Sequence, residues 1–287
     1  VRINSVCRIV ICCCIIAACT GCSPENRQSK ELPVLEKKED FQWPRGKRAA
    51  ISLTFDDARQ SQVTRGIPLL DQYGTKATFY VSINNLEGQL DAWKRAATNG
   101  HEIGNHTLKH PCSGNFSFIY DRALEDYTLD KMQHELVEAN NIIENQLGVR
   151  PVSFAYPCGQ KFVGRGRNLK SYVPLVAENF LTGRGWMDEW ANDPAFCDLS
   201  NLMAMELDGK DFEQVKQLID RTLADGGWLI FCGHEIGEAG RQTTYLSTIK
   251  ALCEYAQDPA NGIWLDTVQA VANHICKQRT DMRELKQ

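Results

Sequence analysis

Short apolar runs that each end in reactive side chains constrain this chain more than any other feature. Residues 49–55 (AAISLTF) lead into Asp56-Asp57, 77–81 (ATFYV) follow, and 101–104 lead into His106 and His110. Residues 153–156 lead into Pro157-Cys158-Gly159, and 228–232 (WLIFC) into Gly233-His234. β-Branched and aromatic residues in runs of this length read as strands. Between them, Leu129, Met132, Leu136, Ile143 and Leu147 mark one helical face over 128–147, with Gly148 as C-cap. Phe212, Val215, Leu218, Ile219 and Leu223 repeat the pattern over 211–225 after Asp211 as N-cap, and 243–256 and 267–276 read as two further helices. Such alternation implies a parallel sheet covered by helices, open or closed into a barrel. In a β/α barrel the strand ends share one rim, where active sites are built, so these side chains are expected to converge.

The ends of the chain differ from this middle. Arg2 and Arg8 flank the start of an apolar run over 9–18, too short to span a bilayer and suited to a signal-peptide core. Two small-residue sites follow, ending at Cys19 and Cys22, and each resembles a bacterial lipobox. Cys22 is the favoured lipidation site because the polar stretch starts immediately after it. The expected organisation is a lipoprotein signal over 1–22, a polar tether over 23–45, a catalytic domain over 46–276 and a polar tail over 277–287 that frays or extends a terminal helix. An ordinary cleaved signal rich in cysteine is the plainer reading of the first segment. Lipidation implies a protein exported to the bacterial cell envelope, in the periplasm or on the outer surface, and held to the membrane by its anchor.

The whole chain has 287 residues, 43% hydrophobic, enough for one α/β barrel with a sizeable core. Its formal net charge of −4 offers no basic stripe to a phosphate backbone, which argues against nucleic acid as a partner. No protein partner is expected either. Of twelve cysteines, Cys7, Cys12, Cys13, Cys14, Cys19 and Cys22 lie in the signal segment. The remaining six form no C-x-x-C pair, so a structural zinc site is not expected.

His106-Thr107-Leu108-Lys109-His110 has i,i+4 spacing, which predicts two imidazoles on one side of a helical turn. With a carboxylate they make a three-ligand set that leaves a divalent ion an open position, as catalytic sites require. Alone, such a pair is more often surface than ligand; an Asp-Asp at another strand end strengthens it. Two adjacent carboxylates ending a buried strand need a cation, and one can bind metal while the other takes a proton from water. His234, at a glycine hinge, is placed to protonate a leaving amine or alcohol, a packed core histidine being the alternative. Trp186 and Trp190, four apart, could form a platform for a sugar ring or belong to the core. His101 reads as a hydrogen-bonded strand-end histidine, His134 as part of a solvated face, and Cys232 as a buried small hydrophobe.

Thr54-Phe55-Asp56-Asp57, H-T-x-x-H at 106–110, Phe154-Ala155-Tyr156-Pro157-Cys158-Gly159 and the segment 229–234 occur in the order of the polysaccharide deacetylase family. That family is also called the NodB homology or carbohydrate esterase family 4, and the resemblance covers about residues 47–275. It implies a distorted (β/α) barrel and hydrolysis of N- or O-acetyl groups on an acetylated polysaccharide. Carried onto these positions, Asp57, His106 and His110 hold the metal, Asp56 is the general base and His234 the general acid. Zinc is the first expectation for the ion. The metal and the backbone N–H of Cys158 would hold the tetrahedral oxyanion, with Tyr156 and Trp186 beside the substrate.

The sequence departs from the family at the third motif, where better-known members read R-P-P-Y. Ala155 takes the position of the arginine that pairs with the base, and Cys158 that of the tyrosine. An unpaired buried carboxylate is costly, so a guanidinium is expected to reach Asp56 from elsewhere. Arg184, flanked by Gly183 and Gly185 after a strand-like stretch, is the first choice, with Arg165 and Arg167 in reserve. Cys112, two residues after His110, and Cys158 should flank the same rim, within reach of a disulfide or as two free thiols. Two rival readings remain: a glycan-binding lipoprotein that has lost turnover, and an amidohydrolase acting on a small molecule.

Overall fold

The computed structural model describes residues 41–119 and 121–285, with side chains to 281. The expected signal (1–22), Cys22 and the tether up to residue 40 lie outside the described residues. Eight strands build one parallel sheet: β1 (Ala49–Asp56), β2 (Thr78–Val81), β3 (Glu102–Asn105), β4 (Ser153–Ala155), β5 (Thr182–Arg184), β6 (Met205–Glu206), β7 (Trp228–Gly233) and β8 (Ile263–Leu265). Their order is β5-β4-β3-β2-β1-β7-β6, and β8 pairs with the first half of β1. The sheet curls into the distorted (β/α) barrel anticipated from the sequence.

β1 explains why the sheet is parallel and central. All eight of its residues are buried, so both faces must be covered. Alternation splits them: Ile51, Leu53 and Phe55 join Leu229 and Phe231 of β7 in the large core under the helices. Ala50 packs the opposite way with Trp228, Ile230 and Cys232. Ser52 and Thr54 share that second face, Thr54 Oγ1 donating to Phe231 O at 2.7 Å and Ser52 Oγ accepting from Trp228 Nε1 at 3.1 Å. Asp56 therefore ends β1 on the polar inner face.

Register then aligns the strand ends. Asp56 lies opposite Tyr80, Phe55 opposite Gly233, Val81 opposite Asn105, and Ala155 opposite Arg184. The C-terminal ends of β1, β2, β3, β4, β5 and β7 consequently form one rim.

Helices Leu129–Leu147 and Phe212–Asp225 form where their periodicity predicts. Thr128 Oγ1 accepts from Lys131 N and Gly148 closes the first at φ 75°; Asp211 and Gln214 make a capping box on the second. The expected helix over 243–256 is shorter: it spans Leu246–Gln257, because Thr243–Tyr245 pairs instead with Glu235–Gly237. β-Branched Thr243 and Thr244 favour that extended form. The last helix, Val268–Leu285, runs through the segment expected as a tail. Arg279 fastens it, donating to Pro194 O at 2.9 Å and Cys197 O at 2.7 Å. Packing also begins before residue 46, since Trp43 is buried and stacks on His274.

Candidate active site

The turn after β1 presents the two carboxylates differently. Asp57 and Ala58 take left-handed backbone (φ 75° and 53°), which turns the Asp57 side chain away from Asp56 and over the rim. Asp57 Oδ1 lies 3.7 Å from His106 Nε2 and 3.6 Å from His110 Nε2. Its Oδ2 accepts from Arg59 at 2.9 Å and its Oδ1 from Ser82 Oγ at 3.2 Å. Burial raises the Asp57 carboxyl, but the two imidazoles and Arg59 outweigh it and hold it well below the usual carboxylate range.

His106 and His110 do not share a helical turn, contrary to the spacing argument. Residues 106–110 form a loop in which Thr107 (φ 67°) and His110 (φ 53°) are left-handed, and the rings meet at 4.7 Å between centroids. Buried polar groups build this loop. Asn105 Oδ1 accepts from Thr107 N at 2.7 Å, Thr107 Oγ1 accepts from His110 N at 2.9 Å, and Glu135 accepts from Lys109 N and from Tyr127 OH. His106 Nδ1 donates to Ala155 O at 2.9 Å, which fixes the tautomer and leaves the Nε2 lone pair free to ligate an ion. Burial and the neighbouring His106 push His110 down to about 4, so its ring is neutral near pH 7.

The set Asp57, His106 and His110 fits a divalent ion. Their ligand atoms all lie within 4.8 Å of one another, and the two distances given above approach the roughly 3.4 Å expected between ligands of a tetrahedral zinc. Cys112 and Cys158 also stand near His110 but are joined as a disulfide with Cα atoms 6.0 Å apart, so their sulfurs are not thiolate ligands. The bond ties the His110 loop to the third motif, as their shared rim suggested.

Asp56 is held from inside the barrel. Arg184, fully buried, pairs with Asp56 Oδ1, donates to Gly185 O at 2.7 Å and lies over the Tyr80 ring. Arg165 instead pairs with exposed Asp126. Burial raises the Asp56 carboxyl, yet Arg184, His106 and His234 bring it below the ordinary value. Cys232 is more than a small hydrophobe: its thiol donates to Asp56 Oδ2 at 3.3 Å and accepts from Arg184 at 3.2 Å.

His234 depends on a residue that the sequence reading missed. Asp208, just beyond β6, accepts from His234 Nδ1 at 2.7 Å, from its backbone N at 3.2 Å and from Thr244 Oγ1 at 2.7 Å. Burial lowers the imidazole, but the Asp208 bond and the charges of Asp56 and Asp208 outweigh it and raise its pKa. Gln62, also missed, donates from one amide to Asp56 O at 2.6 Å and His234 O at 2.8 Å, setting the two residues in one frame.

Asp56, Asp57, His106, His110 and His234 line a cleft of about 540 Å³, with Arg184, Asp208 and Gln62 behind them. Trp186 flanks it, edge-on to His234 with ring centroids 5.5 Å apart. Trp190 does not join Trp186 in a platform; it stacks under Arg221 in a separate recess. Tyr156 contributes to the cleft wall, but its hydroxyl is committed to Ser200 O at 2.6 Å. His101 is hydrogen-bonded at a strand end, accepting from Ala77 N, and His134 is exposed.

Comparison with known proteins places this arrangement. Residues 44–170 match the sequence profile described as polysaccharide deacetylase. A peptidoglycan-N-acetylglucosamine deacetylase of Bacillus cereus is 31% identical over 114 residues, 39% of this chain and 38% of that protein. A gellan lyase of a Bacillus species is 30% identical over 145 residues, half of this chain and 5% of that protein. The chain thus matches well under half the length of these relatives. The crystal structure of a putative polysaccharide deacetylase from Mycobacterium smegmatis superposes with a TM-score of 0.58 at 18% identity, over 84% of this chain and 94% of that one. Over residues 44–170 the chain thus carries a match to the polysaccharide deacetylase family.

Proposed function

We propose that the protein removes N- or O-acetyl groups from a carbohydrate polymer in a metal-dependent hydrolysis, with Asp56 as base and His234 as acid. The observation that carries this reading is the meeting, in one cleft, of a three-residue ligand set with a guanidinium-held carboxylate and a carboxylate-held imidazole. Asp57, His106 and His110 would hold the ion, zinc being the first choice for such donors. When bound, the ion supplies Lewis-acid polarisation of the acetyl carbonyl and lowers the pKa of the attacking water.

The chain's own groups account for the proton movements. Asp56, kept ionised by Arg184, accepts the proton of the attacking water through Oδ2, the oxygen 4.0 Å from His106 Nε2. The backbone N–H of Cys158 donates to the oxyanion, and the disulfide fixes the loop that carries it. His234, kept protonated by Asp208, gives its proton to the departing amine or alcohol. Trp186 walls the acid from bulk water.

Relatives named as peptidoglycan deacetylases favour an acetylated cell-wall glycan as substrate. Export by the 1–22 segment and anchoring through Cys22 belong to the same proposal, since a tethered enzyme in the envelope would meet such polymers. Acetate release from acetylated cell-wall glycan and from acetylated xylan tests the reading. Wild-type protein should release acetate and Asp56→Asn should lose at least about 10²-fold in turnover; equal rates in the two proteins would refute the assignment.

A further inference from the structure

The cleft carries a charge that the hydrolytic machinery does not use. Four cationic side chains line it, Arg59, Lys109, Arg122 and Arg241, against only two acids, Asp56 and Asp57. Both acids are already met from within, Asp56 by Arg184 and Asp57 by Arg59 and the two imidazoles. Arg122 is half-spent, donating to Phe118 O at 3.2 Å and lying 3.7 Å from the exposed Asp121. Lys109 and Arg241 are exposed, and among the described residues no carboxylate lies within ion-pair distance of either. Unpaired positive charge therefore gathers at this mouth although the chain's net charge is −4. A bound divalent ion would add to it.

The same cleft also has an aromatic wall. Phe116 and Phe118 are 37% and 47% exposed, with ring centroids 5.3 Å apart, on the segment that follows the disulfide. Flat apolar faces beside fixed cations suit a sugar ring that carries an acidic substituent, because the ring stacks while the anion meets an unpaired side chain. A neutral glycan would leave Lys109 and Arg241 without a partner and gain nothing from their field.

We propose that the cleft selects a carboxylate-bearing acetylated glycan, with Lys109 and Arg241 as the selecting residues. This rests on the deacetylase reading for the reaction but not for the binding. Lys109 lies directly before the metal-site residue His110, so an anion held there sits beside the reacting centre rather than at a remote subsite. Arg241 approaches from the loop between Glu235–Gly237 and Thr243–Tyr245, beyond His234. The two cations therefore line the same cleft as the proposed centre, where an acidic polymer lying in it would meet them.

Affinity electrophoresis of the full protein tests this without requiring turnover. One gel contains an N-acetylated polymer bearing carboxylates, and the other contains the same polymer after amidation of its carboxyls. Retardation should be about 5–10-fold stronger on the carboxylate form at low ionic strength and should fade as salt shortens the Debye length to a few ångströms. Lys109→Gln with Arg241→Gln should bring the ratio close to one, and Lys109→Glu with Arg241→Glu should invert it. Equal retardation of wild-type protein by the two polymers would overturn the proposal, as would a preference that survives charge reversal. Acetate release is measured in parallel on both polymers. Release without binding preference sinks the proposal and leaves the deacetylase reading standing; preference without release does the reverse.

Discussion

Arg184 reaches Asp56 across 128 residues of sequence and is itself fully buried, so this carboxylate, the proposed base, is paired with a guanidinium that never sees solvent. The pair stands in for the arginine that Ala155 replaces. Removing it leaves a buried, uncompensated carboxylate, a change that costs about 3–5 kcal/mol in comparable buried pairs. Arg184→Ala is therefore expected to lower stability by that order and to lower turnover far more than metal content. The sign of its pH effect follows from the base being active when ionised. Burial alone raises Asp56 and Arg184 lowers it, so losing Arg184 raises the carboxyl and moves the acidic limb of the pH–rate profile upward. An unchanged profile would remove Arg184 from the mechanism.

Asp208 should act on the opposite limb. A general acid works protonated, so its contribution is present below its pKa and falls as pH rises through it. Burial lowers His234, and the Asp208 hydrogen bond together with the charges of Asp56, Asp208 and Asp57 more than offsets it, so losing Asp208 removes part of that support. Asp208→Asn is expected to move the alkaline limb to lower pH and to cut turnover about 10–100-fold, while His234→Ala costs about 10²–10⁴-fold. Profiles of the two variants that superpose on wild type after scaling would contradict this.

Much of the barrel and its rim was legible because strand-end chemistry falls in register with apolar runs. The glycines around Arg184 pointed to its close approach, and the positions of Cys112 and Cys158 to their pairing. Asp208 was not legible, since β6 has only two residues, Met205–Glu206, and no apolar signature marks its end. Cys232 was readable only by parity: it lies two residues before His234, opposite Thr54, and so shares the inner face with Asp56. The His106–His110 loop misled because i,i+4 spacing suggests a helix, whereas buried Asn105 and Glu135 impose a left-handed turn path instead.

Gly233 sits where a side chain would press on the acid's support. A β-carbon there would collide with Thr244 Oγ1 and meet Asp208 Oδ1. Gly233→Ala is expected to cost about 1–3 kcal/mol by overpacking and to depress turnover without loss of metal. Denaturant unfolding and metal analysis of the variant check both parts; wild-type turnover would show that Asp208 tolerates displacement.

The Cys112–Cys158 bond closes a loop with a sequence separation of 46, for which the chain-entropy relation gives about 4 kcal/mol. Reduction, or Cys112→Ser, should lower unfolding stability by up to that amount and weaken metal retention, because the bond braces the His110 loop. Identical unfolding curves with and without reductant would show that the bond adds nothing to the fold.

In the proposed mechanism Asp57, His106 and His110 hold the ion on which deacetylation depends. This is tested most directly by stripping the protein with a chelator and following acetate release from an acetylated glycan as Zn²⁺ is titrated back. Activity should vanish on chelation and return with about one equivalent of metal, while His106→Ala stays inactive at that concentration. Undiminished acetate release from fully stripped protein would contradict the account.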